Sequence, residues 1–174
     1  MSRSPDALRA LAAVIRADID AIRRIESELA RIVPPGGSVE ALAEFAARAG
    51  AAYALHNIYN ALENTFEQIS RTFENHVVDA GKWHAELLGK MFLDIPEVRP
   101  AVFSSDLRLA LEDLRGFRHV FRHSYGIDLN PEKTLVAVER WGAASEKVEV
   151  ALDRFANWLL ARAAKGKNTS SSNA

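Results

Sequence analysis

The sequence predicts an all-α protein, an antiparallel four-helix bundle with one additional short helix. Three observations carry this. Apolar residues recur every three or four positions through most of the chain, and no segment alternates apolar and polar residues as a half-buried strand does. Helix start and stop signals sit where the periodicity begins and breaks. At 174 residues, 48% hydrophobic and 26% charged, the chain suits one domain with a sizeable core.

The first helix begins with Ser4 as N-cap and Pro5 at the first helical position, where its missing N–H costs nothing. Its stripe is Leu8, Leu11, Ile15, Ile22, Ile25, Leu29 and Ile32, and Val33-Pro34-Pro35-Gly36-Gly37 ends it. Ser38 caps a second helix with the stripe Leu42, Phe45, Ala49, Ala52, Tyr59, Leu62, Phe66, Ile69 and Phe73, in which Gly50 marks a bend. A short helical piece follows around Trp83, Leu87 and Met91. Ile95-Pro96-Glu97-Val98-Arg99-Pro100 then forces an irregular connection, because prolines four apart cannot both lie inside a helix.

Ser104 or Ser105 opens the next helix, with Leu107, Leu111, Leu114 and Phe121 facing inward and Gly126 as its left-handed stop. Asn130-Pro131-Glu132 supplies cap, first-turn proline and first-turn acid to a last helix running through Leu135, Val138, Trp141, Val148, Leu152, Phe155 and Leu159. Residues 1–164 read as one domain, and the polar, Ser/Asn-rich residues 165–174 as a disordered tail.

Composition narrows the function classes. A formal net charge of -1 leaves nucleic-acid binding to local patches, since overall basicity is absent. Zero cysteines remove disulfide scaffolds, cysteine-ligated zinc and thiol nucleophiles together. No apolar run approaches the roughly 18 residues of a membrane span, and Met1-Ser2-Arg3-Ser4-Pro5-Asp6 lacks the apolar core of a secretory signal, so the cytoplasm is the expected location. Glycine-rich phosphate loops, a Gly-x-Ser-x-Gly elbow and the histidine–glutamate spacings of di-iron and zinc-protease helices are absent.

The local patch is Leu114 to Gly126, which holds Arg115, Arg118, Arg122, His119 and His123 with no acid among them. Arginine offers a permanently charged fork of donors to phosphate, and histidine can accept and return a proton near neutral pH, so together they can hold and cut a phosphodiester. At about 100° per residue, Arg118 and His123 lie roughly 140° apart on an ideal helix, so unwinding before Gly126, the reach of arginine or a second copy must bring them together. The same residues also suit a solvated face with histidines favoured by the helix dipole. His119 and His123, an i, i+4 pair, lack an evident third metal ligand, and no cofactor is expected. His56 and Tyr59 lie near the apolar stripe of the second helix, where a hydrogen-bonded core or interface role is favoured over catalysis.

Arg118, four residues, His123, one residue and Tyr125 resembles the Arg-x4-His-x-Tyr signature of HepT-like toxins, a branch of the HEPN superfamily of all-α ribonucleases. The order of the surrounding pieces is similar too: Ala54 to Glu63, then Trp83-His84-Ala85-Glu86-Leu87-Leu88, then Ile95 to Pro100, then the motif. Coverage runs from about Ala52 to about Trp158, while the first fifty or so residues carry only a compatible helix.

The resemblance implies a HEPN-type bundle and a metal-independent endoribonuclease, the toxin of a HEPN/minimal-nucleotidyltransferase toxin-antitoxin pair. RNA would be cleaved by attack of its own 2'-hydroxyl on the adjacent phosphate. His123 would act as general base or acid, and Arg118 would stabilise charge developing on the phosphorane. Arg115 and Arg122 would orient the RNA backbone, and His119 would orient substrate or His123, with packing an equal alternative. Tyr125 would be adenylylated by the cognate antitoxin, placing negative charge where RNA phosphate must bind. A homodimer would bring Arg118 and His123 to an accessible cleft shared by both subunits, and replacing either by alanine would spare the fold. The alternative is a non-catalytic HEPN-type module that engages a nucleotidyltransferase or nucleotide. A purely structural bundle would instead bury the motif face.

Overall fold

The computed structural model describes residues 3–74, 83–123 and 129–170, without the side chains of Trp83, His123 and residues 167–170. Within them the chain is helical: α1 (Pro5–Ile32), α2 (Phe45–Phe73), α3 (Trp83–Lys90), α4 (Arg108–His123) and α5 (Pro131–Ser170). The all-α architecture follows the sequence periodicity. Among the described residues no helix is long and apolar enough to cross a membrane.

Four helices form a ring in which α1 and α4 each pack against both α2 and α5. The cross-helix pairs give the direction of every neighbour. Arg16 and Arg23 of α1 meet Asn157 and Glu149 of α5, and Asp106 and Asp113 near and on α4 meet Lys147 and Arg140 of α5. Asp18 of α1 reaches Asn64 and Thr65 of α2 while Ile32 passes Gly50, and His56 and Glu63 of α2 meet Phe121 and Arg118 of α4. Residue numbers rise on one helix as they fall on the other in each case, so the ring is antiparallel throughout.

Burial explains why these segments close on one another. Ile15, Ile22, Leu55, Ile58, Leu62, Phe66, Leu111, Val148, Leu152 and Leu159 are completely buried, one stripe from each long helix. Filling such positions contributes about 1.5–3 kcal/mol each. Phe66 stands edge-on to Phe103 at 5.7 Å, fixing the entry to α4 against α2.

Helix starts match their signals where a side chain can reach the exposed N–H groups. Ser4 Oγ accepts from Ala7 N at 3.2 Å, and Asn130 Oδ1 accepts from Lys133 N at 2.9 Å. Ser38 differs. It makes no side-chain cap bond and leads only a short 3-10 turn, Val39–Leu42, after which α2 starts afresh at Phe45. Burial of Leu42 pins the turn, and Arg48 closes it by donating to the carbonyls of Leu42 and Ala43, which removes the need for a continuous helix. Phe45, expected on the inward stripe, is therefore half exposed at 51%.

Gly50 lies inside uninterrupted helix. A Cβ there would sit 3.0 Å from Ile32 Cδ1, so close approach of α1 and α2 accounts for the glycine. At the other end, α5 continues to Ser170, beyond Lys165 where composition predicts a disordered tail. Buried Ala163 and the approach of Gly166 to Pro5 extend the helix along α1 past the last apolar stripe residue, and residues 171–174 lie outside the described set.

The connection from α3 to α4 is irregular, as its two prolines require, and arginines tie it down. Ile95 N donates to Arg99 O at 2.9 Å, closing a turn in which Glu97 has a φ of +62°. Arg99, 2% exposed, donates to Glu74 at the end of α2 and to the carbonyls of Lys90, Leu93 and Pro100. From α5, Arg162 donates to the carbonyls of Glu97 and Val98, and Arg154 to that of Val102. Loop carbonyls without helical partners are thus satisfied by side chains.

Candidate functional site

The apolar stripe of the motif helix α4 begins at Leu107, in the turn just before it, and continues at Leu111 and Leu114, spaced four and three apart, and the next position in that sequence is Arg118. The arginine is consequently turned inward and is 9% exposed. Within one chain this burial corrects the expectation of an accessible Arg118. A cation at a core position needs a partner, and α2 provides it.

Glu63 Oε2 accepts from Arg118 Nη2 at 2.8 Å, and Asn60 Oδ1 accepts from Arg118 Nε at 2.8 Å. Tyr59, one turn before Glu63, lies with its ring 5.6 Å from the guanidinium carbon. The other oxygen of Glu63 is in contact with His84 Nδ1 at the start of α3. A carboxylate bonded to arginine only accepts, so His84 presents Nδ1–H to it. One buried acid therefore joins α2, α3 and α4 at a single point.

A second group forms one turn earlier on α2. His56 stacks in a tilted arrangement on Phe121, with ring centroids 5.1 Å apart, and its Nε2 lies 3.0 Å from Asn60 Nδ2. Burial, reinforced by the charges of Arg118 and Arg122, holds the imidazole below its ordinary value of 6.5. Burial likewise pushes the Tyr59 phenol up, with Glu63 adding to the effect and Arg115 and Arg118 opposing it. Among the described residues, both Tyr59 Oη and His56 Nδ1 are buried without a hydrogen-bond partner.

Of the residues read from the sequence, Arg115 is half-buried, and His119 and Arg122 are exposed. Arg115, Arg118 and Arg122, at i, i+3 and i+7, form one cationic stripe leading from the surface to the buried pair. His123 is the last residue of α4; its side chain, and all of Tyr125 and Gly126, lie outside the described residues. His56, expected in a hydrogen-bonded core or interface role, bonds to Asn60, whereas the Tyr59 hydroxyl has no hydrogen-bond partner among the described residues.

Asn60 and Glu63 escaped the sequence reading, although both fall in the Ala54–Glu63 stretch that carries the family resemblance. A signal for Glu63 existed. It stands four residues after Tyr59 and three before Phe66 on the buried side of α2, where an acid requires a cation. What the arrangement can do chemically is hold a guanidinium in one orientation, through Nε and Nη2, with Nη1 in neither bond.

Comparison with curated proteins and with solved structures gave no match. A family model described as HepT-like protein matches residues 50–159, which takes in most of α2, all of α3 and α4 and most of α5, together with every residue of the Arg118 network. The chain belongs to the HepT-like proteins of the HEPN superfamily.

Proposed function

We propose that the chain is a metal-independent endoribonuclease, the toxin of a HEPN/minimal-nucleotidyltransferase pair. The observation that carries the proposal is the fixed orientation of Arg118, held by Glu63 and Asn60 on the helix that ends in His123. A cation oriented before substrate arrives stabilises developing charge without reorganising. Arg115 and Arg122 continue the stripe outward and would guide the RNA backbone toward it.

In the step itself the ribose 2'-oxygen attacks phosphorus and the P–O5' bond breaks. A 2',3'-cyclic phosphate and a 5'-hydroxyl result. One proton leaves the 2'-hydroxyl and one is delivered to O5', with His123 serving in one of these transfers and Arg118 facing the phosphorane. A homodimer would complete the groove with the second copy's stripe. Tyr125 would take an adenylyl group from the antitoxin, and its phosphate would repel RNA.

The burial of Arg118 favours a second reading, a HEPN-type binding module that engages a nucleotidyltransferase or nucleotide without cleaving RNA. Incubating purified protein with RNA in excess EDTA separates the two. Cleavage to cyclic-phosphate ends, with DNA spared, supports the enzyme. Intact RNA together with tight binding of a nucleotidyltransferase supports the module.

A further inference from the structure

Asn60 joins an arginine to a histidine, and the arginine dictates the direction of both bonds. Arg118 has donors only, so the Asn60 atom 2.8 Å from its Nε is the amide oxygen. The amide nitrogen then faces His56 Nε2 at 3.0 Å. That nitrogen also only donates, so Nε2 carries no proton and accepts. The ring proton sits on Nδ1, which is buried and meets no acceptor among the described residues, so the Asn60 contact is what selects the tautomer.

We propose that His56 is a positioning residue for Arg118, acting through Asn60: the neutral Nδ1–H imidazole keeps the amide turned so that its oxygen holds the guanidinium, and a proton on Nε2 undoes that hold. With Nε2 protonated, two donors face each other across the Asn60 contact. Rotating the amide relieves that conflict and creates the same one against Arg118 Nε–H. One bond of the chain must fail.

The surroundings set when this happens. Among the described residues, the charged groups bearing on His56 are Arg118 and Arg122, both on the helix packed over it, while its own helix contributes the neutral Asn60. Glu63, further along α2, is engaged by Arg118 and His84. Burial and two cations disfavour the imidazolium, so the chain stays intact at neutral pH and fails on the acid side of 6.5. The consequence for catalysis rests on Arg118 being the charge clamp of the proposed ribonuclease; the hydrogen-bond chain itself does not.

Nitrogen-edited NMR of the full chain tests the proposal independently of activity. The expected result is a His56 ring in the Nδ1–H form, titrating below 6.5, with the Arg118 Nε–H signal moving at the same midpoint. In His56→Gln, whose amide oxygen can accept from Asn60 and does not titrate, the Arg118 signal should stay still. In Asn60→Asp, a carboxylate accepts from both neighbours, so the His56 midpoint should rise above that of the wild type. An Nε2–H tautomer in the wild type, or a His56 midpoint unmoved in Asn60→Asp, overturns the chain. An Arg118 signal that ignores the His56 titration overturns the positioning role. If the wild type cleaves no RNA at any pH, the ribonuclease reading fails, and these signals still decide the chain. Where cleavage is observed, His56→Gln should lose one acid ionisation from the kcat profile with KM unchanged; a profile identical to wild type also counts against the role.

Discussion

Glu63 and Arg118 meet at 2.8 Å with side chains 10% and 11% exposed, so the two charges neutralise each other inside the bundle. The pair makes the proposed catalytic arginine a structural element as well. Removing one partner strands the other in a medium that solvates it poorly.

Arg118→Ala is therefore expected to cost about 3–5 kcal/mol of stability, contrary to the expectation from sequence that the fold would be spared. Glu63→Ala should cost a comparable amount. The double variant should cost clearly less than the sum, because neither charge remains, and a double-mutant cycle in urea measures that difference. Additive costs would show that the two side chains do not interact. Loss of cleavage in Arg118→Ala alone thus has to be read beside its unfolding curve.

Arg99→Met tests the α3–α4 connection. The substitution removes the buried partner of Glu74, leaving it Lys90, and the donors to three carbonyls at a side chain 0% exposed, so a loss of about 3 kcal/mol is expected by chemical denaturation. Acid should reproduce part of the effect. Burial would raise the Glu74 carboxyl, but Arg99 and Lys90 outweigh it and hold the group below its ordinary 4.5. The folded state then binds this proton less readily than the unfolded chain. Its contribution is complete above 4.5 and is lost as pH falls below that value, and Arg99→Met should flatten this acid limb.

Glu26 should behave in the opposite sense. Burial raises its carboxyl above 4.5, although Trp141 Nε1 donates to it at 2.8 Å. The folded state retains this proton longer than the unfolded chain, so the group costs stability as pH rises from 4.5 toward neutrality. Glu26→Gln keeps an acceptor for Trp141 and carries no charge. Its melting temperature at neutral pH should exceed that of the wild type, and the gain should vanish in acid; a lower melting temperature at neutral pH would show that the ionised carboxylate is favourable.

Periodicity made the bundle legible, because burying one stripe per helix leaves few other arrangements for these four long segments. It also contained the position of Arg118, the next core position after Leu107, Leu111 and Leu114. Charge hid that meaning, since an arginine is expected on the surface until an acid at an equivalent buried position is found opposite. Asn60 and Glu63 lie more than fifty residues earlier in the chain, and spacing within one helix cannot reveal which helix it packs against. The break before Phe45 was equally invisible, because it depends on Arg48 reaching back to two carbonyls.

The cleavage chemistry makes the last set of outcomes. His123→Ala removes a group that transfers a proton, so kcat should fall on the order of a hundred- to ten-thousand-fold. It stands at the end of α4, beyond the Glu63–Arg118 pair, and unfolding should change little. Arg115 is half-buried on the cationic stripe, and Arg115→Ala should chiefly weaken RNA binding and reduce the salt slope by roughly 0.7. Tyr125→Phe should cleave like the wild type and resist adenylylation, since only the accepting hydroxyl is lost. Each is read from product ends by mass spectrometry, binding as a function of salt, and nucleotide incorporation. Cleavage undiminished in His123→Ala, or dependent on added metal, would assign the chemistry to other groups and leave the Arg118 network as the support of a binding surface.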